Sequence, residues 1–201
     1  PLSLGLMGMH GEAHVNRAIQ EADLLLAFGM RFDDRVTGTL DTYAPQSRKV
    51  HVDIDPAELN KIVPVDVAIL GDAKLVLRDL TEQLRKLGAE EKKDTFRISE
   101  LLKEKRAYEA QVDAECLAES VPIKTKRVIK ELNQVFGRNT ILVNENGSQD
   151  LWSYYWPYYK VLDVNSCVAP GEQTCMGGGC SAAIGAKLAM PDKNVVCTTG
   201  D

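Results

Sequence analysis

The sequence predicts an α/β chain made of two partial, doubly wound parallel-sheet units joined by a helical linker, and three observations carry that prediction. Short apolar runs closed by glycine or aspartate alternate with amphipathic stretches at the spacing of βαβ units. A charged segment, 88–121, interrupts the alternation and separates 1–87 from 122–201. The stretch Met176–Asp201 reads as a glycine-rich turn, a small-residue helix and a buried strand that delivers Gly200-Asp201. Open α/β sheets bind ligands at such a place, beyond the carboxyl ends of their strands.

Taken in order, Gly8-Met9-His10-Gly11 forms a turn, and Val15, Ala18 and Ile19 mark a short helix over Glu12–Glu21. Asp23–Gly29 is a continuous apolar run closed by glycine, the pattern of a strand covered on both faces. Lys49–Asp55 alternates as a second strand, and Pro56 opens a brief helix over Ala57–Lys61. Val67–Asp72 is a third strand, with Asp72 as N-cap of a helix reaching about Leu87 through Leu75, Leu77, Leu80 and Leu84. Within 88–121, Ile98–Ala114 reads as a bridging helix whose charges form a solvated face. The second unit starts at Pro122, with a helix over Lys124–Phe136 closed by Gly137, a strand over Thr140–Asn144 and a tight turn over Glu145–Ser148. A short helix at Leu151-Trp152, the aromatic run Tyr154–Tyr159 as the rim of a core, and a strand over Val161–Asn165 precede the closing βα repeat.

Composition narrows the function classes. With 201 residues, 44% apolar and 26% charged, the chain is that of an ordinary globular protein. A net charge of −5 with basic residues scattered argues against nucleic acid or an anionic membrane as partner. The sequence holds no apolar run of about 20 residues and no leader pattern. Five cysteines, Cys116, Cys167, Cys175, Cys180 and Cys197, lack C-x-x-C spacing, read as reduced and packed, and favour a cytoplasmic setting. A start at Pro1 and a stop on a strand-end acid suggest a piece of something longer.

Two polar loops follow the first two strands, Gly29–Arg35 and Asp53–Asp55. An acid at a strand tip accepts ribose hydroxyls, and an arginine forks onto phosphate. The same residues, Arg31, Asp33, Asp34 and Arg35, also make a solvated ion-pair loop, and spacing alone leaves both readings open. His10 and His14 have the spacing of a ligand pair, though on a helix start this is more often coincidence. No G-x-G-x-x-G follows a strand, which sets aside an ordinary NAD dehydrogenase.

Gly8-Met9-His10-Gly11, the run Phe28-Gly29-Met30-Arg31-Phe32-Asp33-Asp34-Arg35-Val36-Thr37-Gly38, Val52-Asp53-Ile54-Asp55 and Ala182-Ala183-Ile184-Gly185-Ala186 together resemble the catalytic (large) subunits of the acetohydroxyacid synthase, or acetolactate synthase, family. The resemblance implies a thiamine-diphosphate enzyme that decarboxylates pyruvate and joins it to a second 2-oxo acid. Residues 1–87 would be the rear of a central, FAD-binding domain and 122–201 the front of the thiamine-diphosphate domain. The implied flavin contacts are Met7, Gly8, Met9 and His10, then Gly29, Met30, Arg31, Phe32 and Asp33, and lastly Asp53 and Ile54. The implied thiamine-diphosphate contacts are Ser148, Gln149, Thr174, Cys175, Met176, Gly200 and Asp201. Met176 would prop the cofactor in its bent form, and Asp201 would hold Mg²⁺, a small hard cation suited to a single strand-end carboxylate beside phosphates.

The resemblance further implies a homo-oligomer, dimer or tetramer, with a regulatory small subunit as a further partner. It puts the proton-transfer glutamate and a second metal ligand outside this chain, so no residue here is assigned as catalytic acid or base and the piece alone is expected to be inactive. Ser148-Gln149 stands where the family usually has Gln-His, and Val161–Cys175 carries a short insertion with Pro170–Gln173. Both departures leave room for another thiamine-diphosphate carboligase or decarboxylase, of glyoxylate or sulfoacetaldehyde type. A non-catalytic nucleotide-binding module is the alternative from a different class.

Overall fold

A computed structural model describes residues 2–89, 95–117, 119–153, 156–169, 171 and 175–200. The chain divides into two compact units, Pro1–Lys105 and Arg106–Asp201. The division falls inside a 23-residue helix, α4 (Thr95–Leu117), once the preceding elements are numbered in order.

In the first unit, α1 (Ala13–Gln20) leads to β1 (Leu24–Phe28), a four-residue helix α2 (Asp34–Thr37), β2 (Arg48–Asp53), β3 (Val67–Leu70) and α3 (Ala73–Lys86). The strands form a parallel sheet in the order β1-β2-β3, with Phe28 beside Val52 and Asp53 beside Leu70. Asp72 caps α3 as predicted, its carboxylate accepting the Lys74 and Leu75 amides at 2.9 and 3.1 Å. Such a cap contributes about 1 kcal/mol. The core gathers Ala27, Phe32, Tyr43, Ala44 and Val63. Leu75, Leu77, Leu80 and Leu84 of α3, read as its packing face, are exposed in this chain.

In the second unit, α5 (Thr125–Phe136), β4 (Thr140–Asn144), α6 (Asp150–Ser153), β5 (Cys167–Val168), α7 (Gly178–Ala189) and β6 (Asn194–Thr198) follow. The parallel order is β5-β4-β6, so the chain winds first to one side of β4 and then to the other. Being central, β4 is buried along its whole length. Leu142 packs with Ile129 and Tyr159, flanked by Trp152 and Tyr158, so Tyr158 and Tyr159 of the aromatic run lie at the core rim as expected, while Trp156 is exposed. Tyr154 and Tyr155 lie outside the described residues.

Three expectations are corrected. Val161–Asn165 is not a strand: Asp163 accepts the Val164 amide and the Ser166 hydroxyl, and Asn165 takes φ 56°, so a turn forms and the pairing strand is Cys167–Val168. Ala57–Lys61 is a series of turns, with i to i+3 bonds and Asn60 at φ 57° receiving the Val65 amide. The linker helix is longer than predicted, Thr95–Leu117, and it buries Val112 and Cys116, while the charge run Glu90–Lys93 lies outside the described residues. All five cysteines are free, but only Cys116 is buried, while Cys175 and Cys180 are exposed.

Candidate functional site

In the first unit the residues singled out at the two polar loops converge on the carboxyl edge of the sheet. Gly29 and Asp53 stand at adjacent tips, and the Gly29 amide donates to the Val52 carbonyl at 2.8 Å. The Gly8-Met9 turn is tied to the same edge, because the Met9 amide donates to the Arg35 carbonyl at 2.7 Å. Asn16 holds the turn from the other side, accepting the Gly8 amide at 2.8 Å and donating to its carbonyl at 2.9 Å. A cleft of about 390 Å³ opens here, lined by Gly8, Met9, Asn16, Asp34, Arg35 and Tyr43 among others. Met9 and Ile54 are exposed at 58% and 71%, as ligand-facing groups would be.

Two of the predicted contacts take other roles in the free chain. Phe32 is 2% exposed and sits in the core at φ 53°, edge-on to His51 at 5.0 Å and to Tyr43 at 6.1 Å, so it anchors the loop and does not face outward. Asp33 spends one carboxylate oxygen on the Arg35 amide, capping α2, and the other on Arg31 at 3.0 Å. The ion-pair reading of that loop therefore describes the contacts seen. Met30 is half-buried against the core. Met7 lies on the outside of the turn, and His10 is exposed. His14 is buried with Nε2 on the Leu4 carbonyl at 3.0 Å, a core histidine and not half of a ligand pair.

His51 escaped the sequence reading. It is wholly buried in β2, neither ring nitrogen has a hydrogen-bond partner among the described residues, and Nε2 lies 3.7 Å from Asp53. Alternation along the strand was the available signal, but it marked only the valines. The buried Tyr43 hydroxyl also has no hydrogen-bond partner among the described residues, and burial pushes its phenol above the ordinary value.

Glu12 shows how burial acts on charge at this end of the sheet. It is 5% exposed and accepts the Leu6 amide at 2.7 Å, and burial pushes its carboxyl above 4.5, outweighing the hydrogen bonds that pull it down. A carboxyl that binds its proton more tightly folded than unfolded stabilises the fold below the unfolded value. That stability is lost as pH rises from 4.5 through the raised value. The melting temperature of the first unit is therefore expected to fall more steeply over this window than in Glu12→Gln. Scanning calorimetry checks this, and equal slopes would reject it.

In the second unit the turn after β4 meets the end of β6. A Cβ added at Gly200 would lie 3.7 Å from the Asn146 carbonyl and 3.8 Å from Gln149 Oε1, so these predicted residues come together. Gln149 donates to the Glu145 carbonyl at 2.9 Å. Ser148 is exposed, as are Cys175 and Met176, the latter at 75%. Thr174 and Asp201 lie outside the described residues. Asn144, 3% exposed at the strand tip, accepts the Thr198 hydroxyl at 2.6 Å, while its Nδ2 has no partner among the described residues. Burial is the main cause that pushes the Cys197 thiol up on β6, with Cys180 and Glu145 adding to it.

Glu145 was read only as part of a turn. It is 8% exposed, and its two oxygens accept the Gly177 and Gly179 amides at 2.5 and 2.9 Å, binding the glycine turn to the tip of β4. The available signal was an acid directly after a buried strand, with a helix elsewhere that starts on glycine and has no side chain to cap itself. A cleft of about 620 Å³ in this unit is lined by residues from 119 to 135 and by none of these groups.

Comparison with known proteins finds matches in both parts of the chain. Residues 1–80 match the family described as thiamine pyrophosphate enzyme, central domain, and residues 146–201 match thiamine pyrophosphate enzyme, C-terminal TPP binding domain. A probable acetolactate synthase large subunit of Methanocaldococcus jannaschii is 41% identical over all of this chain and 34% of its own length. A second, of Methanococcus aeolicus, is 37% identical over all of this chain and 35% of its own length. The chloroplastic acetolactate synthase of Arabidopsis thaliana is 37% identical over the whole chain and 29% of its own length. The chain thus spans about a third of the length of the curated relatives it matches. No helix among the described residues is long and apolar enough to cross a membrane. With a parallel sheet matching each of the two domains, and likeness to acetolactate synthase large subunits from end to end, the chain belongs to the thiamine pyrophosphate enzyme family.

Proposed function

We propose that this chain is part of a thiamine-diphosphate-dependent 2-oxo acid decarboxylase and carboligase of acetolactate synthase type, which joins pyruvate to pyruvate or 2-oxobutanoate with release of CO₂. The observation that carries the reading is the meeting of Gln149, Gly200 and the Glu145-held glycine turn beside Met176 at the carboxyl edge of the second sheet. Two features of the structure fit a diphosphate there: glycine backbone that a ligand can approach closely, and the buried Asn144 Nδ2 donor, which has no partner among the described residues. Thiamine diphosphate, when bound, supplies the electron sink for losing CO₂. Ser148, Gln149 and Gly200 would hold its diphosphate end, Met176 and Cys175 its ring end, and Thr174 and Asp201 complete the set, with Asp201 as the Mg²⁺ ligand.

In the first unit, Met7–His10, Gly29–Asp33, Asp53 and Ile54 would hold FAD. The buried Asp53 carboxylate at a strand tip, and a cleft that reaches Gly8 and Met9 of this set, support this. Residues 1–87 then form the rear of the flavin-binding central domain, 88–121 a linker, and 122–201 the front of the cofactor domain. Five free thiols support a reducing, cytoplasmic setting, and homo-oligomer formation with a regulatory subunit completes the reading.

The test is to assay the whole enzyme with pyruvate, thiamine diphosphate and Mg²⁺, with and without 2-oxobutanoate. A 2-acetohydroxy acid is expected in both, and its absence sinks the reading. Glyoxylate and sulfoacetaldehyde are run alongside, because Ser148-Gln149 departs from the family's Gln-His beside the cofactor.

A further inference from the structure

The thiamine-diphosphate reading leaves one buried acid without a task. Taking 8% exposed Glu145 out of water costs several kcal/mol unless its charge is met by donors. Here both oxygens are met, and by backbone amides of one turn, Gly177 at 2.5 Å and Gly179 at 2.9 Å. These belong to the start of α7, where the N-cap is Gly177 and no side-chain cap forms. An acid 32 positions away in sequence therefore replaces the missing cap and faces the positive end of the helix.

The contact is closely fitted. A Cβ at Gly179 would come within 2.7 Å of Glu145 Oε2 and 2.8 Å of Glu145 Cβ, so the carboxylate reaches the amides only because the helix presents no side chain there. Glu145 is itself fixed by its backbone: its amide donates to the Thr198 carbonyl at 2.9 Å, and its carbonyl accepts Gln149 Nε2 at 2.9 Å. One residue thus links β4, β6, Gln149 and the turn that follows Met176.

We propose that Glu145 is a positioning residue, which holds the Gly177–Gly179 turn, and with it Met176, in register with Gln149 so that the cofactor's two ends meet a preset frame. This rests on the thiamine-diphosphate reading above. Charge-assisted bonds of this kind are stronger than neutral ones, and a bidentate pair also fixes orientation.

The experiment is Glu145→Gln in the whole enzyme, which keeps the shape and leaves one acceptor. Hydrogen exchange of the 175–182 segment is measured without cofactor, and the thiamine diphosphate dissociation constant is measured separately. Expected are exchange at Gly177 and Gly179 faster by about tenfold or more, unchanged exchange in β4 and α5, and a dissociation constant raised about tenfold, the scale of one lost bond to a charged group. Unchanged exchange overturns the contact. Faster exchange with an unchanged dissociation constant makes Glu145 a plain helix cap and overturns the positioning role. A wild-type enzyme that takes up no thiamine diphosphate overturns the cofactor reading and this proposal with it, whereas failure of the proposal alone shows as wild type and variant binding alike.

Discussion

Gly11→Ala is expected to unseat the whole Leu6–Gly11 loop. An alanine Cβ would lie 2.4 Å from the Leu6 carbonyl oxygen and 2.5 Å from the Met7 carbonyl carbon. Both are backbone atoms, so no rotamer change relieves the clash. The backbone is also held in place, since Leu6 accepts the Glu12 amide at 3.0 Å while its own amide donates to the Glu12 side chain at 2.7 Å. Relief must break that closure, at a cost of about 3 kcal/mol. Gly8→Ala meets a related obstacle, with φ 93° and a Cβ 2.7 Å from the Arg35 carbonyl oxygen, and so separates the turn from the loop carrying Arg31 and Asp33. Both variants are expected to lower the denaturation midpoint of the first unit and, if the proposed flavin site is occupied, to weaken flavin uptake by the whole enzyme. A stability change under about 0.5 kcal/mol for Gly11→Ala would contradict this argument, since that is the range of an ordinary surface substitution.

What could be read from the sequence follows from which signals are local. The strands β1, β3 and β4 are paired apolar runs and β2 an alternating one, each with punctuation at its end, although β1 is not covered on both faces as expected, with Leu24 and Leu26 exposed, and the α3 cap is an aspartate bonded two and three residues on. These are short-range facts, and the predicted elements match them. The failures are also local, but they turn on side chains competing for the backbone. Val161–Asn165 has strand composition, yet Asp163 satisfies the neighbouring amide and hydroxyl itself, and a left-handed Asn165 ends the extended run. The helix α2 was hidden in a loop read for its charges, although Asp33 as N-cap and Gly38 at the other end are helix signals.

At the candidate sites the division is different. The residues proposed to touch a ligand came from resemblance to a family, and the residues that hold them did not. Glu145, Asn16 and His51 act through contacts as distant in sequence as Glu145 to Gly177, or through burial that a single polar residue in a strand does not announce. Asn16 is the instructive case: on a short helix it reads as surface, but its amide closes both sides of Gly8.

Met176→Ala is expected to separate stability from activity. The side chain is 75% exposed in this chain, so its removal takes away little packing here and is expected to change the melting temperature of the second unit only slightly. If Met176 props the cofactor ring, the same change removes the wedge that keeps two reacting parts of the ring system in near-attack geometry. A displacement of about 1 Å can cost about a hundredfold in rate. The expected result in the whole enzyme is a fall in kcat of that order, with saturating thiamine diphosphate and a KM for pyruvate that moves much less. Met176→Leu keeps the apolar bulk and should retain most of kcat. A Met176→Ala enzyme with kcat within about threefold of wild type would remove the prop, because a wedge whose loss shifts the geometry cannot leave the rate nearly intact. Comparison with Glu145→Gln then separates the two proposed roles: Met176→Ala should act mainly on kcat, with the smaller effect on cofactor affinity, whereas Glu145→Gln should act first on affinity, because Met176 would be the wedge and Glu145 holds the turn that follows it.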